Sequence, residues 1–175
     1  MGKLVIIALL VSAALAGAGI WYTNTRAFYD PIEGPVTLTL DGAESLVSIP
    51  AQDVTAIAST SSPLGFRACF SHDLTMPEDL AAPRAGVAPT VAPGWFACFD
   101  ADAIAGLLAD GTATAFTGYK NVQYGVDRIV ALTADGRGWA WHELNDCGHK
   151  AYDGTPVGEA CPDRTTFEPL IEGSL

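Results

Sequence analysis

Positive charge is scarce in this sequence: nine Lys+Arg stand against 20 Asp+Glu, a formal net charge of -11 over 175 residues. Proteins that bind a polyanion displace its counterions with a basic face, so nucleic acid is excluded as an expected partner. Reactive side chains are few as well, with three histidines, four cysteines and two methionines. There is no Cys-x-x-Cys, and so no Cys-x-x-Cys-His for covalent haem. Gly-x-Ser-x-Gly, His-Glu-x-x-His and a phosphate loop are missing too. No internal repeat or low-complexity tract is present. Charged residues make up 17% and apolar residues 49%, which argues against a disordered acidic chain.

What is present begins with an apolar run. Leu4 to Tyr22 carries no charge, and only Ser12, Gly17 and Gly19 interrupt it. As a helix it would span about 28 Å at ~1.5 Å per residue, close to the thickness of a bilayer core. Trp21 and Tyr22 end the run, where aromatic rings suit the membrane interface, and Arg26 follows. The expectation is an uncleaved signal-anchor over residues 1–25. The alternative is a removed signal peptide, for which Ala14-Leu15-Ala16 would serve as the cleavage site. The apolar run continues through Ile20-Trp21-Tyr22 instead of turning polar after Ala16, which favours retention. Lys3 is the only Lys or Arg before the run and every acidic residue lies after it, so the N-terminus is expected in the cytoplasm and the rest exported. Ser12/Ala16, Ala13/Gly17 and Ala14/Ala18 form three overlapping small-xxx-small pairs, a pattern that lets two helix backbones approach closely. Ala/Gly-rich composition is also ordinary for signal segments. The mean hydropathy of +0.25 partly reflects this one segment.

Cys69, Cys98, Cys147 and Cys161 all follow the anchor. An even number in an oxidising compartment reads as disulfides, with three possible connectivities. The favoured one is Cys69–Cys98 with Cys147–Cys161. Cys69 and Cys98 sit in similar contexts, Arg67-Ala68-Cys69-Phe70 and Phe96-Ala97-Cys98-Phe99, which read as two strands lying side by side. Cys147 and Cys161 flank Asp153-Gly154 nearly symmetrically, so a turn there would join them. Loop entropy puts the bridges at roughly 3.6 and 3 kcal/mol. A metal at Cys147, His149 and Cys161 lacks a paired motif and an obvious fourth ligand. No metal or cofactor is expected.

Residues 26–35 read as a juxtamembrane linker punctuated by Asp30-Pro31 and Gly34-Pro35, and 36–175 as one exported domain. Val36 to Leu40 is a predicted strand ending in Asp41-Gly42, with Leu46 to Ile49 as its hairpin partner. Asp53 to Ser62 is ambiguous. Phe66 to Phe70 is a predicted strand with Phe66, Ala68 and Phe70 on one face and Cys69 on the other. Pro77, Pro83, Pro89 and Pro93 mark a long irregular excursion over 74–94. Asp100 to Asp110 is the best helix, with Ile104, Leu107 and Leu108 at i, i+3, i+4 and Gly111 beyond its end. Thr112 to Thr117 starts an antiparallel run, and Val126 to Thr133 with Gly138 to Leu144 form the clearest hairpin, around Asp135-Gly136. The fold class is α+β: an N-terminal transmembrane helix, then a small disulfide-stapled domain with an antiparallel sheet and one or two short helices.

Candidate chemistry is thin. Ser71, His72 and Asp73 are adjacent, and neighbouring strand side chains point to opposite faces, so they do not converge as a triad. His142 lies on the face opposite Trp139 and Trp141, facing solvent or a second layer if the tryptophans face a core. Trp95, Trp139 and Trp141 are core aromatics or, alternatively, a recognition patch. Gly136-Arg137-Gly138 reads as turn chemistry. The acidic exported part would repel anionic lipid and attract a basic partner, or serve solubility alone.

Ser61-Ser62-Pro63, Phe66-Arg67-Ala68-Cys69-Phe70, Pro93-Gly94-Trp95-Phe96-Ala97-Cys98-Phe99-Asp100-Ala101, Tyr124 to Val130, and Asp135-Gly136-Arg137-Gly138 through Trp141-His142 resemble a small family. It consists of alphaproteobacterial membrane-anchored proteins classified only as a domain of unknown function. The resemblance covers most of the chain, including the anchor and the Cys147-Gly148 and Cys161-Pro162 ends. It implies a periplasmic location and supplies no catalytic residues. Together these readings lead to a non-catalytic accessory or assembly subunit of a larger inner-membrane complex, for example a respiratory or photosynthetic one. Its helix would contact the complex and the bilayer, and a basic periplasmic protein would suit its acidic domain. The rival is a stand-alone tethered binding or sensing module for a small or basic ligand.

Overall fold

Turn residues and apolar alternation account for most of the architecture. The computed structural model describes residues 2–75 and 80–172. Helix α1 (Gly2–Thr25) is followed by strands β1 (Tyr29–Pro31), β2 (Thr39–Asp41), β3 (Leu46–Ser48), β4 (Ala51–Ser59) and β5 (Arg67–His72). Then come α2 (Ala101–Ala109), β6 (Ala113–Gln123), β7 (Val126–Thr133) and β8 (Arg137–Leu144). Six strands form one sheet in the order β1-β4-β5-β8-β7-β6, and β2 pairs with β3 separately. Every pairing is antiparallel. The fold is α+β.

The sheet is covered on both faces, which is why β7 is buried along its whole length. Side chains alternate between two cores. Val130, Leu132, Ala140, Ala68, Phe70 and Phe116 face one side, where the β2–β3 hairpin supplies Leu38 and Leu40. Ile129, Ala131, Trp139 and Trp141 face the other, under Ile104 of α2 and the loop residues Phe96 and Phe99. Helix α2 starts where Asp100 Oδ1 accepts from the backbone N–H groups of Asp102 and Ala103, each at 3.1 Å. It stops before Gly111, whose φ of +77° suits glycine alone.

Two close approaches lock the layers. Thr39 Oγ1 donates to the carbonyl of Gly118 at 2.7 Å, setting β2 across β6. The Phe70 ring lies on Gly138, where a Cβ would sit 2.2 Å from ring atom Cε2. Gly138→Ala is therefore expected to lower stability by about 1–3 kcal/mol, the usual cost of overpacking. A urea denaturation curve checks it, and an unchanged midpoint would mean the ring can turn aside.

The disulfides join Cys69 to Cys98, with Cα atoms 6.2 Å apart, and Cys147 to Cys161, at 4.9 Å. Between the second pair, Ala151 N–H donates to the Thr155 carbonyl around Gly154, so the turn at Asp153-Gly154 does close that loop. Two expectations need correction, and one stretch left open is assigned. The segment around Cys98 is not a strand: its buried residues, Phe96 and Phe99, are three apart, the period of consecutive turns. Phe96 N–H bonds Pro93 O and Phe99 N–H bonds Phe96 O accordingly. Residues 26–35 are not all linker, because Tyr29–Pro31 pair with Ile57–Ser59 as strand β1. The ambiguous stretch 53–62 belongs largely to β4, where a bulge between Gln52 and Thr55 places Asp53 at φ 51°. Pro77, in the excursion, lies outside the described residues.

Candidate functional site

The expected helix-packing residues Ser12, Ala13, Ala14, Ala16, Gly17 and Ala18 all lie on α1, with Trp21 and Tyr22 in its last two turns. All are exposed, and no residue of α1 is buried against the domain. By length and composition this helix can cross a membrane, a test that a signal sequence also passes. The end of the helix is fastened to the domain. Trp95 Nε1 donates to the Thr25 carbonyl at 2.6 Å, and the Arg26 guanidinium lies 5.4 Å from the Trp95 ring centre. Trp139 and Trp141 are core residues, Trp141 being fully buried, so the three tryptophans form no exposed patch. Two disulfides in so small a domain point to an oxidising compartment.

The other reactive side chains are dispersed. Ser71 Oγ donates to Gln52 O and Asp53 Oδ2, both at 3.2 Å, on the side away from buried His72. Neither ring nitrogen of His72 meets a partner among the described residues. His149 is exposed, and Cys147 and Cys161 are bonded to each other, which leaves no thiolate for a metal there.

What sequence reasoning missed is a set of buried charges on the central strands. Asp127 and Arg128 are 3% and 1% exposed and point to opposite faces of β7. Asp127 is fully committed. Its carboxylate accepts from Arg84 Nη1 at 2.9 Å, Asn121 N–H at 2.9 Å and Asn145 Nδ2 at 2.7 Å. These bonds hold Asn121 at φ 53° and shape the turn into β7.

Arg128 faces the first core, directly across from His142 on β8. Its Nε and Nη2 lie 3.2 and 3.0 Å from His142 Nε2. Its Nη1 donates both to the Thr37 carbonyl and to the Glu172 carboxylate. The guanidinium also sits 4.0 Å from the Phe66 ring centre, and His142 stacks on the same ring at 4.6 Å. The second Glu172 oxygen accepts from Thr37 N–H at 2.9 Å. Burial pushes Arg128 down from its ordinary value, against the pull of Glu172. Burial, with the Arg128 charge second, pushes His142 down to about 3. The ring is thus neutral near pH 7. With Arg128 donating to Nε2, its proton sits on Nδ1 and is donated to the Pro63 carbonyl at 2.6 Å. Both ring nitrogens are occupied, so His142 is a positioning group here and not a base. Chemically, the arrangement holds a carboxylate: two donors, one of them charged, converge on it at the edge of a core.

Arg67, 3% exposed, has a different role. It donates to the carbonyls of Leu64, Phe66, Thr90 and Val91, pinning the irregular excursion to β5. Neither buried arginine announces itself by a motif. The available signal was a pair of charges, Asp127-Arg128, at the head of a strand otherwise apolar through Leu132.

Comparison with known proteins adds a family and no activity. Neither a curated protein nor a solved structure matches the chain. The family described as "Family of unknown function (DUF6446)" matches residues 36–162, nearly the whole domain including strands β2 to β8 and all four cysteines. The chain therefore belongs to that family of unknown function, DUF6446.

Proposed function

We propose that this protein is a non-catalytic accessory or assembly subunit of a larger inner-membrane complex, of which a respiratory or photosynthetic assembly is an example. In this reading α1 stays uncleaved, its N-terminus lies in the cytoplasm, and the acidic disulfide-bonded domain lies in the periplasm of an alphaproteobacterium. The observation that carries it is α1 itself. No residue of the helix is buried among the described residues, it presents Ser12/Ala16, Ala13/Gly17 and Ala14/Ala18, and its C-terminal end is bound by Trp95. Lipid covers such a helix, and small residues at four-residue spacing admit a second backbone.

Mild detergent solubilisation followed by size analysis tests the reading. The chain should migrate with partner proteins, and Gly17→Leu should release it while leaving its domain's thermal unfolding unchanged. Migration at monomer mass without a co-purifying protein would overturn it.

An open cleft of about 680 Å³ favours the second reading, a tethered binding or sensing module for a small or basic ligand. Glu143, Asp146 and Glu159 line it, although Lys120 already pairs with Glu159 at 2.8 Å. A soluble chain beginning at Arg26, which keeps β1, should then bind polyamines in the cleft. Its affinity should weaken as salt rises.

A further inference from the structure

Arg128 is held in two different ways. His142, Phe66 and the Thr37 carbonyl belong to the sheet and the segment leading into β2, which fix them. Glu172 instead comes from an irregular C-terminal tail whose residues 163–166, 168, 169 and 171 are exposed. Between Asp163 and Glu172 the tail's attachments to the domain are few. Among the described residues they are one backbone bond from Leu170 N–H to Val122 O, ring contacts of Phe167 and Arg164 with Tyr124, and the Glu172 carboxylate itself. Arg128 and His142 lie inside the family match, while Glu172 lies ten residues beyond its end. The guanidinium lies within the matched segment, and its counter-ion comes from the tail that follows that segment.

Beside this contact lies a cavity of about 210 Å³, lined by Pro63, Phe66, Arg128, His142, Leu170 and Glu172. Apolar surface predominates in its walls, which also include Ser59, Ser62 and Gln123. The Arg128 guanidinium faces it, and the Thr37 N–H, outside the lining, donates to the same Glu172 carboxylate. A site of this shape selects an anion with a short apolar body.

We infer that Arg128, Thr37 N–H and the Phe66–Pro63 wall form a binding site for a small apolar monocarboxylate, and that Glu172 occupies it as a tethered competitor. The tail and the ligand exclude one another because both place a carboxylate on the same two donors. Tethering gives Glu172 an effective concentration of order millimolar, so the intact chain binds an external acid weakly. Release of the tail exposes the site without rearranging the sheet. The inference does not depend on the proposed function above, since it concerns only the folded domain.

The test uses the full chain and its Glu172→Ala variant, titrated with sodium butyrate while thermal unfolding is followed. Chloride, phosphate and butyramide serve as controls for a bare anion, an apolar-free polyanion and a neutral isostere. The variant should gain Tm with millimolar butyrate, the parent should need several-fold more, and butyramide should do nothing. Adding Arg128→Met to the variant should abolish the response. If Glu172→Ala fails to fold alone, refolding in butyrate reads the same property, and recovery supports the site. Absence of any butyrate effect would overturn the inference. An equal response to phosphate would overturn the ligand class, and an equal response of the parent would overturn the competition by the tail.

Discussion

Replacing Arg128 with methionine is expected to destabilise the domain by about 3 kcal/mol, the lower end of the range for breaking a buried charge network. Methionine fills much of the aliphatic volume, so a cavity is a minor part of the loss. The greater part comes from groups left behind. His142 Nε2 and the Thr37 carbonyl lose the donor that the fold places against them. Glu172 contributes less, because its tail can carry the carboxylate into solvent. Chemical denaturation with unchanged m-value is the measurement. A double variant, Arg128→Met with His142→Phe, should recover a substantial part of the loss, since it removes donor and acceptor together. Equal stability of Arg128→Met and the parent would mean that the network contributes nothing.

Acid should weaken the domain well above the pH at which carboxylates titrate. His142 is held at about 3 in the folded chain by burial and by the Arg128 charge, against 6.5 when unfolded. The unfolded state therefore binds the additional proton between these values, and stability falls as pH falls through that window. The contribution is fully present above about pH 6.5, and its slope approaches ~1.4 kcal/mol per pH unit below it. Down to pH 4.5 this amounts to an expected loss of roughly 2–3 kcal/mol. His142→Gln mimics the neutral ring: its amide donates to the Pro63 carbonyl and its oxygen accepts from Arg128. The variant should be flatter between pH 6.5 and 4.5 and diverge little from the parent above pH 7. A parent whose stability is level across that interval would contradict the assignment.

Local chemistry made some elements readable and left others hidden. Helix α2 is bracketed by an aspartate that caps it and a glycine that ends it, so its limits follow from two residues. The β7–β8 hairpin turns at Asp135-Gly136, and that turn also sets the register, placing Arg128 opposite His142. The pair was therefore present in the sequence as a consequence of the turn. Its significance was not, because burial of a charge depends on layers contributed by Leu38, Leu40 and the tail. Phe96 and Phe99 show the opposite failure. An apolar string beside a cysteine reads as a strand until the three-residue spacing of its buried positions is known. Strand β4 lacked a signal for a different reason: its Ser, Thr and Ala residues alternate weakly, and the bulge at Asp53 breaks what alternation there is. The tryptophans illustrate the advantage of size. Trp141 could be buried only where a second layer existed, and α2 with Phe99 provides it.

The two borders of the sheet carry a consequence for recognition. On one side stands β1, three residues long and ending in Pro31, which has no N–H to offer a neighbour. On the other, the outer rim of β6 is already taken: Arg84 N–H bonds the Ala115 carbonyl, Pro83 bridges Phe116, and β2 lies across Gly118. The rest of the β1 rim, β4 over Ala51–Thr55, is interrupted by the bulge at Asp53, so neither rim presents a long regular ladder for another chain. This guards the domain against edge-to-edge polymerisation despite its apolar content. It also means that a protein meeting this domain finds mainly side chains to read, because little regular backbone edge is offered to it.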